Sequence, residues 1–305
     1  MKKLLPEEGI KHFLEGEKEK QLVYASEKSK VRHNIPELVA KYGDGPPKFK
    51  FKTFLTMIYT FIQARKSYKA VKNNPEDYKI EAPHELIDDI FEYAKGIGAL
   101  DIGFVKVEPK EIFKNSSILY KNAIIVTMKM KEEPINDAPS KDTGHEVHRT
   151  YKELGIIVNK IAKFLRKKGY GAQSNPAMGG DVNYSLLAEK AGLGAIGNHG
   201  LLISPGVGPR QRIAAVFTSI ENLPVKPTNE HLWIKEFCKV CKRCIKECPS
   251  QAIFEEPQKD IYNSEKHIDY RKCAKSFSNM YGCSICIKEC TFNKIEYQKI
   301  KSSFK

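Results

Sequence analysis

No cysteine occurs in the first 237 residues of this 305-residue chain, and no apolar run exceeds 12 residues. The longest such run, Thr53 to Ala64 (TFLTMIYTFIQA), has basic flanks. A membrane-spanning helix needs about 20 apolar residues, so the sequence predicts a soluble or at most peripheral protein. Neither a signal peptide nor a twin-arginine pair opens the chain, which makes the cytoplasm the expected compartment. Acid is scarce in one region: Lys41 to Lys72 holds eight basic residues against Asp44 alone, within a net charge of +14. Phe49, Phe51, Phe54, Tyr59, Phe61 and Tyr68 interleave with those charges. Such a stretch reads as a solvated helix face, a dock for an acidic redox protein, or a contact for RNA or an anionic membrane.

All eight cysteines therefore fall at the C-terminal end. Cys238, Cys241, Cys244 and Cys248 form C-x2-C-x2-C-x3-C followed by Pro249; Cys273 precedes Cys283, Cys286 and Cys290 as C-x9-C-x2-C-x3-C. This is the bacterial two-cluster pattern, in which the fourth cysteine of each run serves the other cluster. It assigns Cys238, Cys241, Cys244 and Cys290 to one [4Fe–4S] cluster, and Cys248, Cys273, Cys283 and Cys286 to a second. Zinc would want two C-x2-C pairs set a dozen or more residues apart, and a disulfide framework would suit a small secreted chain. Thr291 stands where the second run would normally carry proline.

Some 235 residues precede the cysteine segment, far more than an electron carrier needs. Residues 1–80 read as a basic extension ending its first part in GDGPP, a turn and linker; residues 81–230 as an α/β core; residues 231–305 as a ferredoxin-like module. In the core, periodicity predicts a helix on Leu86, Ile87, Ile90, Phe91 and Ala94, and strands at 100–107 and 123–128. A polar loop follows from Glu133 to Gly144. A long helix over 146–168 comes next, its stripe running through Tyr151, Leu154, Ile157, Ile161 and Phe164. A short helix at 185–191 and strands at 201–204 and 213–218 complete an α/β alternation.

Gly192-Leu193-Gly194-Ala195-Ile196-Gly197 matches G-x-G-x-x-G, but a helix precedes it and a strand follows, the reverse of a dinucleotide fingerprint. The glycines are expected instead to let the backbone pass close to a large planar ligand.

The run LAEKAGLGAIGNHGLLISPGVGPRQRIAAVFT (187–218), directly ahead of FCKVCKRCIKECPSQAIF, resembles the corrinoid-binding core and cluster module of reductive dehalogenases and epoxyqueuosine reductases. The resemblance covers residues 84–295 and is nearer the dehalogenase branch in HGLLISPGVGPRQR. It implies a nitroreductase-like core holding a base-off cobalamin or related cobamide, in keeping with the lack of a D-x-H-x-x-G segment that would offer cobalt a histidine. It also implies a ferredoxin or flavodoxin donor, a small organic substrate, and a tyrosine proton donor helped by a cation, here Tyr151 and Arg212. An arginine nearby favours the phenolate form. Gly192, Gly194, Gly197, Gly200, Asn198, His199 and Asn183 are the expected corrinoid contacts, although a loop hydrogen bond is the ordinary role for His199. Reduction of epoxyqueuosine in transfer RNA is the alternative. Against it, the nearest acid, Asp181, is displaced from that branch's aspartate, and the 15 residues after Cys290 leave no room for its helical repeats. A third reading is a non-catalytic electron carrier or corrinoid reactivator.

Overall fold

The computed structural model describes residues 9–14, 22–32, 35–45, 49–262 and 264–304. A short strand β1 (Val23–Tyr24) and the helices α1 (Ile35–Tyr42) and α2 (Phe51–Lys69) lead into α3 (His84–Gly96) and β2 (Asp101–Lys106). Next come β3 (Ser117–Ile118), β4 (Asn122–Lys129), α4 (Glu132–Asn136), α5 (Lys141–Lys167), β5 (Ala172–Asn175) and α6 (Tyr184–Lys190). The core closes with β6 (Ala195–Ile196), β7 (Leu202–Ile203) and β8 (Gln211–Thr218).

Helix and strand alternate as expected, yet the central sheet has four strands in the order β2-β4-β8-β5, and every pairing in it is antiparallel. The mixed α/β core is thus built, as an α+β layout, on an antiparallel sheet. Its two middle strands are apolar on both faces because both faces are covered. Ile124, Val126 and Met128 of β4, with Ala214 and Val216 of β8, meet α3 and α5. The alternate residues Ala123, Ile125, Ala215 and Phe217 meet Leu187, Ala188 and Ala191 of and beside α6, together with Tyr68 and Val71. The period-2 geometry of a strand produces this division. Residues 51–71 thus pack into the same body as the core.

Boundaries moved where capping overrides periodicity. Ser140 accepts a hydrogen bond from Thr143 N and starts α5 at Lys141, inside the expected polar loop, while buried Ile135 turns the front of that loop into α4. Gly169, at φ +92°, follows the helix as a left-handed stop. β5 (AQSN) has no apolar signal; its side chains hydrogen-bond inward, Gln173 Oε1 accepting from Leu119 N at 2.7 Å and Ser174 Oγ donating to Asn159 at 2.7 Å. Of the expected GDGPP linker, Pro46 and Pro47 lie outside the described residues.

The cysteine-bearing end comprises α7 (Trp233–Cys241), α8 (Arg243–Lys246), a hairpin of β9 (Ile253–Lys259) and β10 (Glu265–Ile268), then α9 (Tyr270–Asn279), α10 (Ile285–Lys288), α11 (Thr291–Lys294) and α12 (Tyr297–Phe304). Its two halves repeat one device. Lys242 (φ +46°) and Ser284 (φ +73°) adopt left-handed turns directly before the four-residue helices α8 and α10, which carry Cys244 and Cys286.

Candidate functional site: two cysteine gatherings and a tyrosine–arginine pair

The eight thiols separate into two groups that interleave the sequence. Cys238, Cys241, Cys244 and Cys290 line one hollow with Asn198, His199, Ile203, Phe237 and Phe292. Burial pushes Cys238 up to about 11 and Cys244 up to about 12, with further upward pressure from neighbouring thiols of the same four. Cys290 is raised by burial and then by Cys238, Cys244 and Cys241. Burial likewise pushes Cys273 up to about 11, with further upward pressure from Cys283, Cys248 and Asp269. Cys286 is raised by burial and feels Cys283, Cys273, Cys248 and also Cys244 of the first group, so the two gatherings adjoin. Backbone amides reach the sulfurs and oppose these shifts: that of Ile245 at Cys244, those of Ser284 and Ile285 at Cys283, and that of Phe292 at Cys290. Thr291, at the position where proline was expected, places its hydroxyl 3.1 Å from the Cys241 sulfur.

The glycine loop makes its close approaches to the protein's own chain. A Cβ on Gly194 would lie 2.1 Å from the Ile203 carbonyl oxygen, because β6 and β7 pair there as Ala195↔Ile203. One on Gly197 would meet the Ile203 side chain at 2.6 Å, with the Cys238 sulfur at 3.4 Å; one on Gly192 would meet Lys226, and one on Gly200 would meet His267. The missing side chains make room for the protein's own chain and draw the loop against the first cysteine gathering. Asn198 donates to the Cys238 carbonyl at 2.7 Å, and Asn183 caps α6 by accepting from Leu186 N. His199 Nδ1 accepts from Leu201 N at 3.1 Å, which is the ordinary loop role. Its Nε2 is buried without a partner, on a ring that lines the four-cysteine hollow.

Tyr151 and Arg212 do come together. Arg212 continues the face of β8 that carries Ala214 and Val216, and that face lies under α5. Tyr151 extends the α5 stripe of Leu154, Val158 and Ile161 beyond the apolar part of the sheet. Arg212 Nη1 donates to Tyr151 Oη at 2.9 Å, and the guanidinium stands 4.0 Å from the ring centroid. His148, one turn earlier on α5, lies 6.3 Å from the Tyr151 ring. Burial, followed by the Arg212 charge, pushes His148 down to about 4, so it is neutral near pH 7. Arg212 Nε and His148 Nδ1 are both buried and unpartnered. Sequence reasoning missed His148, although its i,i+3 spacing to Tyr151 was available as a signal.

Asp181 is fully enclosed. It accepts from Tyr68 Oη at 2.8 Å and from Asn175 Nδ2 at 2.7 Å, and burial raises its pKa. Arg210, two residues before Arg212, is spent on Asn293, the Met130 carbonyl and Glu132.

No family model matches the chain. It is 34% identical over 222 residues to the tetrachloroethene reductive dehalogenase of Desulfitobacterium hafniense, covering 68% of this chain and 39% of that protein. It is 21% identical over 260 residues to the epoxyqueuosine reductase of Bacillus subtilis, covering 69% and 64% respectively. Among solved structures, the catabolic reductive dehalogenase NpRdhA in complex with 3-bromo-4-hydroxybenzoic acid superposes at a TM-score of 0.70, with 18% identity, over 90% of this chain and 43% of that one. A reductive dehalogenase described through a mechanism for B12-dependent dehalogenation gives a TM-score of 0.63 at 20% identity, over 88% and 37%. The mixed α/β architecture is thus that of reductive dehalogenase structures. The chain fits the superfamily of reductive dehalogenases and epoxyqueuosine reductases, closer to the dehalogenase branch, and its relatives there are oxidoreductases. It spans about two fifths of the length of the dehalogenase that it matches, 39%.

Proposed function

We propose that the chain is an iron–sulfur reductase of the dehalogenase type that acts on a small organic substrate bound against Tyr151 and Arg212. The observation that carries this reading is the pair itself: residues 61 positions apart, joined at 2.9 Å on a half-buried face beside two unpartnered buried polar atoms. Tyr151 Oη supplies the proton. The guanidinium stabilises the negative charge left on that oxygen, and Arg212 Nε offers a free donor to an acceptor atom of the substrate.

Two [4Fe–4S] clusters fit the cysteines. Thiols pushed to 11–12 by burial become thiolates only beside compensating positive charge, which iron supplies. Among the described residues, no three histidine, cysteine or acidic side chains gather closely enough to hold a single ion, as a zinc site would require. The second gathering is the entry point, since each of its four cysteines is partly exposed as a residue while Cys238, Cys244 and Cys290 of the first are buried. An acidic ferredoxin or flavodoxin is the matching donor for a chain of net charge +14.

On the sides where Cβ atoms would lie, Gly194, Gly197 and Gly200 pack against Ile203, Cys238 and His267, so the loop glycines are accounted for by the protein's own packing without a ligand. None of the loop residues is given a corrinoid role, and no step runs through that group. The filled loop favours a second reading, an electron carrier without its own catalysis. Titrating anaerobically reconstituted protein with base-off cobamide, followed by visible absorption and electron paramagnetic resonance, separates the two. Binding and reduction of the added cobamide support the reductase. Intact cluster reduction with no cobamide bound supports the carrier.

A further inference from the structure

The helix α2 is amphipathic in the inverted sense. Its face toward α5 carries Thr53, Thr56, Thr60, Ala64 and Ser67, all buried. That face is held by polar contacts: Thr53 Oγ1 lies 3.1 Å from His145 Nδ1, and Ser67 Oγ donates to Asn159 at 3.0 Å. The outward face carries Phe51, Phe54, Leu55, Ile58, Tyr59 and Ile62, each between 43% and 77% exposed. Steps of three and four residues place these six on one stripe, about 17 Å long at 1.5 Å per residue. Large apolar side chains in such an array leave water only at a contact with something else.

Charge selects the occupant. Lys52, Arg65, Lys66 and Lys69 are exposed along the stripe, and no acidic residue occurs between Asp44 and Glu76. A second copy packed on the stripe would set Lys52 against Arg65 and Lys66 if antiparallel, or against itself if parallel, and like charges oppose both. A transient acidic redox partner would need a smaller, more polar contact than six large apolar side chains. Insertion across a bilayer is excluded, since no helix among the described residues is long and apolar enough. An apolar stripe bordered by cations is the pattern of a helix lying in the plane of a lipid surface.

We propose that α2 docks this protein on an anionic bilayer surface, with Phe51, Phe54, Ile58 and Ile62 at the acyl boundary and Lys52, Arg65, Lys66 and Lys69 against the phosphates. The helix is anchored to α5 along its length, so the whole body is held at the membrane. This docking stands whether or not the chain is a reductase.

Co-sedimentation with phosphatidylcholine vesicles, with and without phosphatidylglycerol, tests the proposal. The full chain binds only the phosphatidylglycerol vesicles and is released by salt. The variant Phe54→Ser/Ile58→Ser/Ile62→Ser binds at least about tenfold more weakly, and Lys66→Glu or Lys69→Glu weakens binding about fivefold or more. Should the triple variant misfold, Phe54→Trp reads the same face, its emission moving to the blue on anionic vesicles. Equal binding to both vesicle types, or unmoved Phe54→Trp emission, overturns the proposal. So does a dimer, seen by light scattering, that the triple variant dissociates, because the stripe would then belong to a second copy.

Discussion

Replacing Gly194 by alanine would put a methyl carbon 2.1 Å from the Ile203 carbonyl oxygen and 3.1 Å from Ser204 Cα. Both obstacles are backbone, fixed by the pairing of Ala195 with Ile203, so no side chain can swing away. Overpacking of this kind costs about 1–3 kcal/mol, and a glycine-type backbone conformation adds about 1 kcal/mol. The total of about 2–4 kcal/mol corresponds to a fall of roughly 5–10 °C in melting temperature for a chain of this size. Gly206→Ala is the matched control, with positive φ but nothing within 4 Å of its Cβ, and should lose only the smaller amount. Thermal unfolding of anaerobically purified protein, followed by circular dichroism, reads both. If Gly194→Ala melts with the unsubstituted protein and loses only affinity for a planar ligand, the loop is an open cradle, and its assignment to the wall of the first cysteine gathering is wrong.

Tyr151→Phe keeps the ring over which Arg212 lies but removes the proton; turnover should fall about a hundredfold or more while reduction of the clusters is unchanged. Unaltered turnover would leave Tyr151 as packing. His148, held down at about 4 in the folded protein against an ordinary value of 6.5, is charged more readily when unfolded. Its contribution is complete above pH 6.5 and is lost as pH falls toward 4, a difference of up to about 3 kcal/mol. His148→Gln should flatten that part of the stability–pH curve measured by denaturant unfolding, and an unchanged slope would contradict a buried neutral imidazole.

What the sequence disclosed depended on how local the signal was. The cysteine pattern is local, and in the fold Cys290 neighbours Cys238, Cys244 and Cys241 while Cys248 neighbours Cys273. Tyr151 and Arg212 could be linked only through resemblance, because their meeting depends on strand parity in β8 and on α5 crossing above it. The glycines carried an ambiguous signal: a missing Cβ reports a close approach without saying whether a ligand or the chain itself approaches. α2 was legible as basic and aromatic but not as inverted, since threonine and serine on a packed face carry no hydrophobic signal. Polar β5 escaped for the same reason, its burial resting on hydrogen bonds to Leu119, Asn159 and Asp181.

Two interleaved iron–sulfur cubanes held by the eight cysteines are the proposal on which the electron path depends. Iron analysis of anaerobically purified protein, alongside the Cys290→Ala variant, tests it most directly. About eight irons per chain are expected in the parent, with damage in the variant confined to the cluster held by Cys238, Cys241 and Cys244. About four irons in the parent, zinc in place of iron, or loss in the variant of the cluster bound by Cys283 and Cys286 would contradict it.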